Sequence, residues 1–309
     1  VSKNVDAISW ILLTGFLAMS INTAARYLSI HFEMHAFQLV FFYNILGLIF
    51  FLPVALKSQG GLKPTRSEFY WLRAVLEFSA FSLVFAALAH MPLPVHTALS
   101  FTSPLFGSIA AVLILREPNS IHRWLALLIG FGGVMMIANS ESSLQGEGLL
   151  SMINEINIYT WYMLGGAILF ALCGVCIKIL TRTEPNIRIT FNMMLMTAIV
   201  AAPFALWKWQ PIPSEAWSIL LLLGLLVAGV QYAVAQAFSK GDLTLILPFF
   251  FLNLVWSAVF GWLFFEEMLQ PNTVYGAAVI MGASFYAAYM AKQEEKKNST
   301  CLTTETPEQ

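Results

Sequence analysis

"AFQLVFFYNILGLIFFLPVAL", residues 36–56, has no charged side chain over a length that, coiled into a helix rising 1.5 Å per residue, crosses the ~30 Å hydrocarbon layer of a bilayer. Similar stretches recur along the chain, at roughly 7–28, 36–56, 69–89, 95–115, 121–139, 158–179, 188–207, 216–238, 243–264 and 272–291. Composition agrees: with 58% hydrophobic and 11% charged residues among 309, a water-soluble domain would lack a hydrated surface. The chain therefore reads as an all-α integral membrane protein with ten transmembrane helices and no soluble domain.

The ten spans form two sets of five. At an offset of 150, "FLPVAL" (51–56) lies on "AAPFAL" (201–206), matching Pro53 with Pro203. The same offset lays "AVLILREPN" (111–119) on "GWLFFEEML" (261–269), matching Glu117 with Glu267, and then Gly132 with Gly282. One offset joining proline, glutamate and glycine landmarks at helix ends marks an internal repeat. Because five is odd, the second set enters the membrane from the opposite side, which makes the repeat inverted. The expected organisation is a first five-helix repeat over 1–139, a linker at 140–157 whose "NSESSLQGEGLL" (139–150) is polar and glycine-containing, and a second repeat over 158–291. The tail 292–309, "KQEEKKNSTCLTTETPEQ", has nothing to bury and is expected to be disordered.

Charge sets the orientation. If residue 1 is cytoplasmic, only Arg26 and Lys208 fall on the outer side. Lys3, Lys57, Lys63, Arg66, Arg73, Arg116, Arg123, Lys178, Arg182, Arg188, Lys240, Lys292, Lys296 and Lys297 all fall inside. Basic residues flanking spans are retained on the cytoplasmic face, so both termini are expected in the cytoplasm and the linker in the periplasm. Lys3 before an apolar run also suits a signal peptide, but nine further spans favour a retained helix. Cys173 and Cys176 form "CGVC" inside the sixth span and read as small packing residues; two cysteines make no zinc site without further ligands. No cofactor and no metal are expected.

The run "LRAVLEFSAFSLVFAALAHMPLPVHTALSFTSPLFGSIAAVLILREPNSIHRWLALLIGFGGVMMIA", residues 72–138, resembles the drug/metabolite transporter superfamily, in particular its ten-helix EamA-like carriers. The carrying features are Arg73, "AAL" (86–88), "SPLF" (103–106), Glu117 and "GFGGV" (130–134). The second copy matches through Pro248, Glu267 and "YGAAVIMGA" (275–283). Within the superfamily the chain is most similar to bacterial carriers of metabolites such as S-adenosylmethionine, riboflavin or amino acids. Two positions depart from the family pattern: "FFYN" (41–44) puts Tyr43 where an arginine is usual, and Glu77 stands where an apolar or small residue is usual.

Glu77 is the chief candidate for binding a substrate or a proton, because a carboxylate near the middle of a bilayer is costly unless protonated, paired or wetted by a cavity. Arg73, one helical turn earlier, offers the competing explanation of a structural ion pair. Amides that can bind a polar solute, or equally join helix to helix, are Asn22, Asn192, Gln231, Gln236 and Asn253. Tyr43, Tyr232 and Trp256 can stack a planar group or simply pack. His90 and His96 flank "MPLP" and suit proton-linked gating, or are solvated at the interface. Pro104 and Pro248 interrupt the fourth helix of each half and suit bending during gating. Glu117 and Glu267, at helix exits, read as structural acceptors for free N–H groups.

These features predict a secondary transporter of the bacterial inner membrane that moves a small polar or amphipathic metabolite by alternating access, through proton coupling or exchange. The chain has no GxxxxGK[ST] loop for ATP and no HExxH or GxSxG motif. A multi-spanning membrane enzyme and a non-transporting sensor are the rival readings. The expected partners are the metabolite and membrane lipids, not nucleic acid; monomer and homodimer both stay open.

Overall fold

The computed structural model describes residues 3–57, 61–115, 125, 128–133, 136, 157–180, 183–240 and 252–304. All regular structure among them is helical: α1 (Lys3–His31), α2 (Ala36–Leu56), α3 (Ser67–Leu88), α4 (Leu93–Ser100), α5 (Ser103–Leu115), α6 (Ile158–Leu180), α7 (Asn186–Trp207), α8 (Ser214–Lys240), α9 (Leu252–Phe265) and α10 (Pro271–Thr304). Five are long and apolar enough to cross a membrane: α2, α3, α7, and α6 and α8 over Ile158–Ile177 and Ser214–Ala233. The exposed surface carries large apolar side chains such as Leu56, Leu113, Leu206 and Trp207, as a surface facing lipid does. This is a multi-pass membrane protein.

Helix extents follow local chemistry. The His35 side chain caps α2 by accepting the Phe37 N–H at 3.2 Å. The expected fourth span is two helices, broken at Phe101–Thr102. Pro104 stands in the first turn of α5, where a missing N–H costs nothing, and the Thr102 carbonyl receives both Leu105 and Phe106 N–H groups, at 3.0 and 3.2 Å. Of the expected tail, residues 292–304 are among those described. Alpha-helix continues through Thr304, because Ala291–Lys297 are good helix formers and extend a helix already nucleated in α10. Most of the fifth span, the linker up to 156, Glu117 and Pro248 lie outside the described residues.

Helix packing has a recurring plan. α1 packs on α8 as α3 packs on α6, α2 packs on α7, α2 meets α8 as α7 meets α3, and α1 meets α9 as α6 meets α5. Helix boundaries keep the same spacing, since α7 begins 150 residues after α2 and α9 ends 150 residues after α5. Residues 128–133 pack closely on α10. A Cβ at Gly133 would lie 2.7 Å from the Gly276 carbonyl oxygen, so only glycine admits this backbone approach.

Candidate functional site

Glu77 stands ten residues into α3, roughly 15 Å along the helix at 1.5 Å per residue, and is buried. Arg73, one turn earlier on the same face, grips it with two nitrogens: Nη1 donates to Oε2 at 2.7 Å and Nη2 to Oε1 at 3.3 Å. The Thr197 hydroxyl of α7 donates to Oε2 at 2.8 Å. Both carboxylate oxygens are therefore engaged, by three donors in all. The competing explanation, an Arg73 ion pair, is the arrangement found, and Thr197 carries it across to another helix.

This triad has an apolar counterpart. Position 227 lies 150 residues after Glu77, and Thr197 lies 150 after Gly47. Val227 of α8 packs on Gly47 of α2, with Val227 Cγ1 2.6 Å from where a Gly47 Cβ would sit. One α3–α7 contact is thus polar where the equivalent α2–α8 contact is apolar. Tyr43, on α2, packs against Phe81 and Phe85 of α3 in tilted and edge-on contacts at centroid separations of 4.9 and 6.1 Å.

The other selected residues do not gather around Glu77. Asn192 spends its amide on structure, donating to the Leu62 carbonyl at 2.8 Å and the Arg188 carbonyl at 2.9 Å, so it ties α7 to the segment before α3. Asn253 and Trp256 of α9 lie against α1: Asn253 Oδ1 is 2.6 Å and the Trp256 ring 3.3 Å from the position of a Gly15 Cβ, and Trp256 meets Phe16 edge-on. Asn22 is half-buried on α1 and Gln231 half-buried on α8. Tyr232 is exposed; helical spacing puts it on the stripe of Trp217, Leu221 and Leu225, facing outward, with its ring against Trp10. Gln236 is in α8 and Pro104 in α5, their side chains outside the described set.

The two histidines differ. His90 is exposed, donates its Nδ1–H to the Ala86 carbonyl at 3.0 Å, and stacks on Tyr159 at 4.1 Å. His96 is buried rather than solvated. Glu267 accepts the Leu93 N–H at the start of α4 at 2.9 Å and pairs with Arg26, so it does satisfy a free helix N–H, though not that of the helix following it. Glu266 before it has φ +55°, the left-handed turn that ends α9. An apolar cavity of about 470 Å³ between α5, residues 128–133 and α6 is lined by Phe106, Leu128, Phe131, Trp161, Leu164 and Ile168. None of the selected residues is among these lining residues, and the described walls are almost wholly apolar. Among the described residues no His, Cys, Asp and Glu cluster could hold a metal ion.

Sequence reasoning missed Thr197, Arg26 and Glu184. Glu184, between α6 and α7, accepts the Thr65 N–H at 2.9 Å, the Arg66 N–H at 3.3 Å and the Tyr70 hydroxyl at 2.7 Å, holding the loop before α3. Partial burial works to raise its pKa, but the Tyr70 and backbone donors outweigh it and hold the carboxyl below its ordinary value. Arg26 had a signal in the sequence, as one of the two basic residues that break the inside bias.

Among known proteins, the chain matches the model of the EamA-like transporter family at residues 6–139 and 157–289. It is 28% identical to an S-adenosylmethionine uptake transporter of Rickettsia prowazekii, over 94% of this chain and 94% of that protein. A riboflavin transporter of Vibrio cholerae is 29% identical over 94% of both chains. A pseudopaline exporter of Pseudomonas aeruginosa is 27% identical over 80% of this chain and 84% of its own. One crystal structure, 16% identical in sequence, superposes with a TM-score of 0.60 and covers 95% of this chain and 98% of the other.

Proposed function

The chain belongs to the EamA-like transporter family, and from that premise we propose that it is a secondary carrier of a small metabolite, built from ten spans as two inverted five-helix repeats with both termini in the cytoplasm of a bacterial cell. The observation that carries this reading is the packing plan: exchanging each helix of the first half with its counterpart in the second maps the most extensive helix contacts onto one another, while the smaller α2–α3 contact has no comparable α7–α8 partner. Two halves related in this way can trade conformations, which opens a central site first to one side of the inner membrane and then to the other. The names of the relatives favour transport over the membrane-enzyme and sensor readings and point to metabolites of the size of S-adenosylmethionine or riboflavin. Direction stays open between uptake and export, since relatives of both kinds are similar.

In this reading Glu77, Arg73 and Thr197 form the polar tie between the halves, with Glu77 as the residue through which coupling ion or substrate acts. Thr197 and Glu77 belong to different halves, so their bond must break or re-form as the halves rock. Asn22, Tyr43, Gln231, Asn253 and Trp256 remain secondary candidates for contact with the solute. Purified protein in proteoliposomes, given labelled S-adenosylmethionine, riboflavin, amino acids or nucleosides, should take up at least one with saturable kinetics. No flux of any class above protein-free vesicles would sink the carrier reading.

A further inference from the structure

We infer that Arg26, with Thr23 and His96, forms a subsite for the carboxylate of an α-amino-acid head group, at the end of the bundle where α1 finishes, α4 begins and α9 gives way to α10. This deepens the carrier reading and rests on it. Arg26 is 8% exposed, its guanidinium lies 4.3 Å from the Phe265 ring centroid, and its Nη1 pairs with Glu267 Oε1. The other oxygen of Glu267 takes the Leu93 N–H. Around this pair Arg26 Nε, which can only donate, the Thr23 hydroxyl and both ring nitrogens of His96 have no hydrogen-bond partner among the described residues. Buried polar groups are almost always satisfied, so the Arg26 Nε–H, beside an unpartnered Thr23 hydroxyl, is placed for an acceptor that the described residues do not supply.

The geometry gathers these groups. Thr23 and Arg26 are three residues apart on one face of α1. α4 runs antiparallel to α1, tied at one end by Leu93 through Glu267 to Arg26 and at the other by the Thr97 hydroxyl, 3.7 Å from Met19 Sδ. His96 lies between these two ties and is 3% exposed. A guanidinium holds a carboxylate best through two parallel N–H donors, and Arg26 gives Glu267 only part of its fork. An incoming carboxylate takes the guanidinium together with the Thr23 hydroxyl. The ammonium beside it takes the Glu267 oxygen that Arg26 releases, leaving neither member of the buried pair uncompensated. A solute with carboxylate and ammonium on one carbon matches this exchange; one lacking the carboxylate does not.

The test titrates three probes against the full-length protein in lipid nanodiscs: S-adenosylmethionine, its decarboxylated counterpart, and riboflavin, which has no amino-acid head. The first should bind at least about ten-fold more tightly than the second, the preference that about 1.4 kcal/mol gives. Thr23→Val should weaken the first several-fold and leave the second unchanged. Arg26→Lys, which keeps the charge but loses the fork, should bring the ratio near one, and Arg26→Gln with Glu267→Gln should do the same without stranding a buried charge. Equal binding of S-adenosylmethionine and its decarboxylated counterpart, binding of neither, or a ratio preserved in Arg26→Lys would overturn the subsite. Saturable riboflavin flux with no carboxylate preference would overturn it while leaving the carrier reading intact. A carboxylate preference in binding without flux of any solute would do the reverse.

Discussion

At the scale of the residue, Glu77 makes a polar α3–α7 contact where Val227, 150 residues later, makes an apolar one. The Arg73–Glu77 pair was legible from spacing alone, because residues four apart on a helix face one another. Thr197 was not, since nothing local says which helix of the second half lies opposite Glu77; only the packing of α3 on α7 brings the hydroxyl within 2.8 Å. Thr197→Val removes one hydrogen bond to a charged group while keeping the shape, and should cost about 1.5–3 kcal/mol. Glu77→Gln strands the Arg73 guanidinium, 5% exposed, and should cost more, about 3–5 kcal/mol. Thermal unfolding in detergent ranks the two. If Glu77 carries coupling, uptake by Thr197→Val also changes its pH dependence, whereas a purely structural triad lowers folded yield and leaves the pH profile of the folded fraction unchanged.

At the scale of the element, helix ends and glycine contacts set the stability of the frame. Burial first, and Lys208 nearby second, hold His35 below its ordinary pKa of 6.5. The neutral ring is the one that caps α2, because only an unprotonated Nδ1 accepts the Phe37 N–H. A histidine whose folded pKa is depressed gives stability that is complete above its unfolded pKa and is lost as pH falls below about 6.5. Melting temperature should therefore drop between pH 7.5 and 5.5, and His35→Asn, which caps without titrating, should remove that part of the drop. Glu184 acts in a separate window: its depressed carboxyl supports the loop before α3 above the ordinary carboxylate range and releases it only as pH falls through still lower values. Gly133→Ala drives a methyl onto the Gly276 carbonyl and should destabilise by about 1–3 kcal/mol through overpacking, read as a lower melting temperature. The break at Phe101–Thr102 was half legible, since proline marks it, but its form as two helices depends on how the Thr102 carbonyl starts α5.

At the scale of the whole molecule, membrane class and helical character follow from composition and apolar run length, which is why the sequence expresses them so clearly. Where polar residues point is a different matter. Asn192 and Tyr232 are both candidates within spans, yet one donates to a loop carbonyl and the other faces outward with Leu221 and Leu225, because orientation depends on which neighbour a helix finds. His96 and Arg26 likewise acquire their meaning only when α4 lies along α1. If the two halves alternate around one site, counterflow follows. Proteoliposomes loaded with excess unlabelled solute, chosen as the one taken up in the screen, are diluted into a trace of the labelled solute. An alternating carrier should give a transient overshoot of label inside the vesicles, because each inward trip is coupled to an outward one. Label that only rises to equilibrium, without overshoot, at solute concentrations that saturate uptake would contradict it.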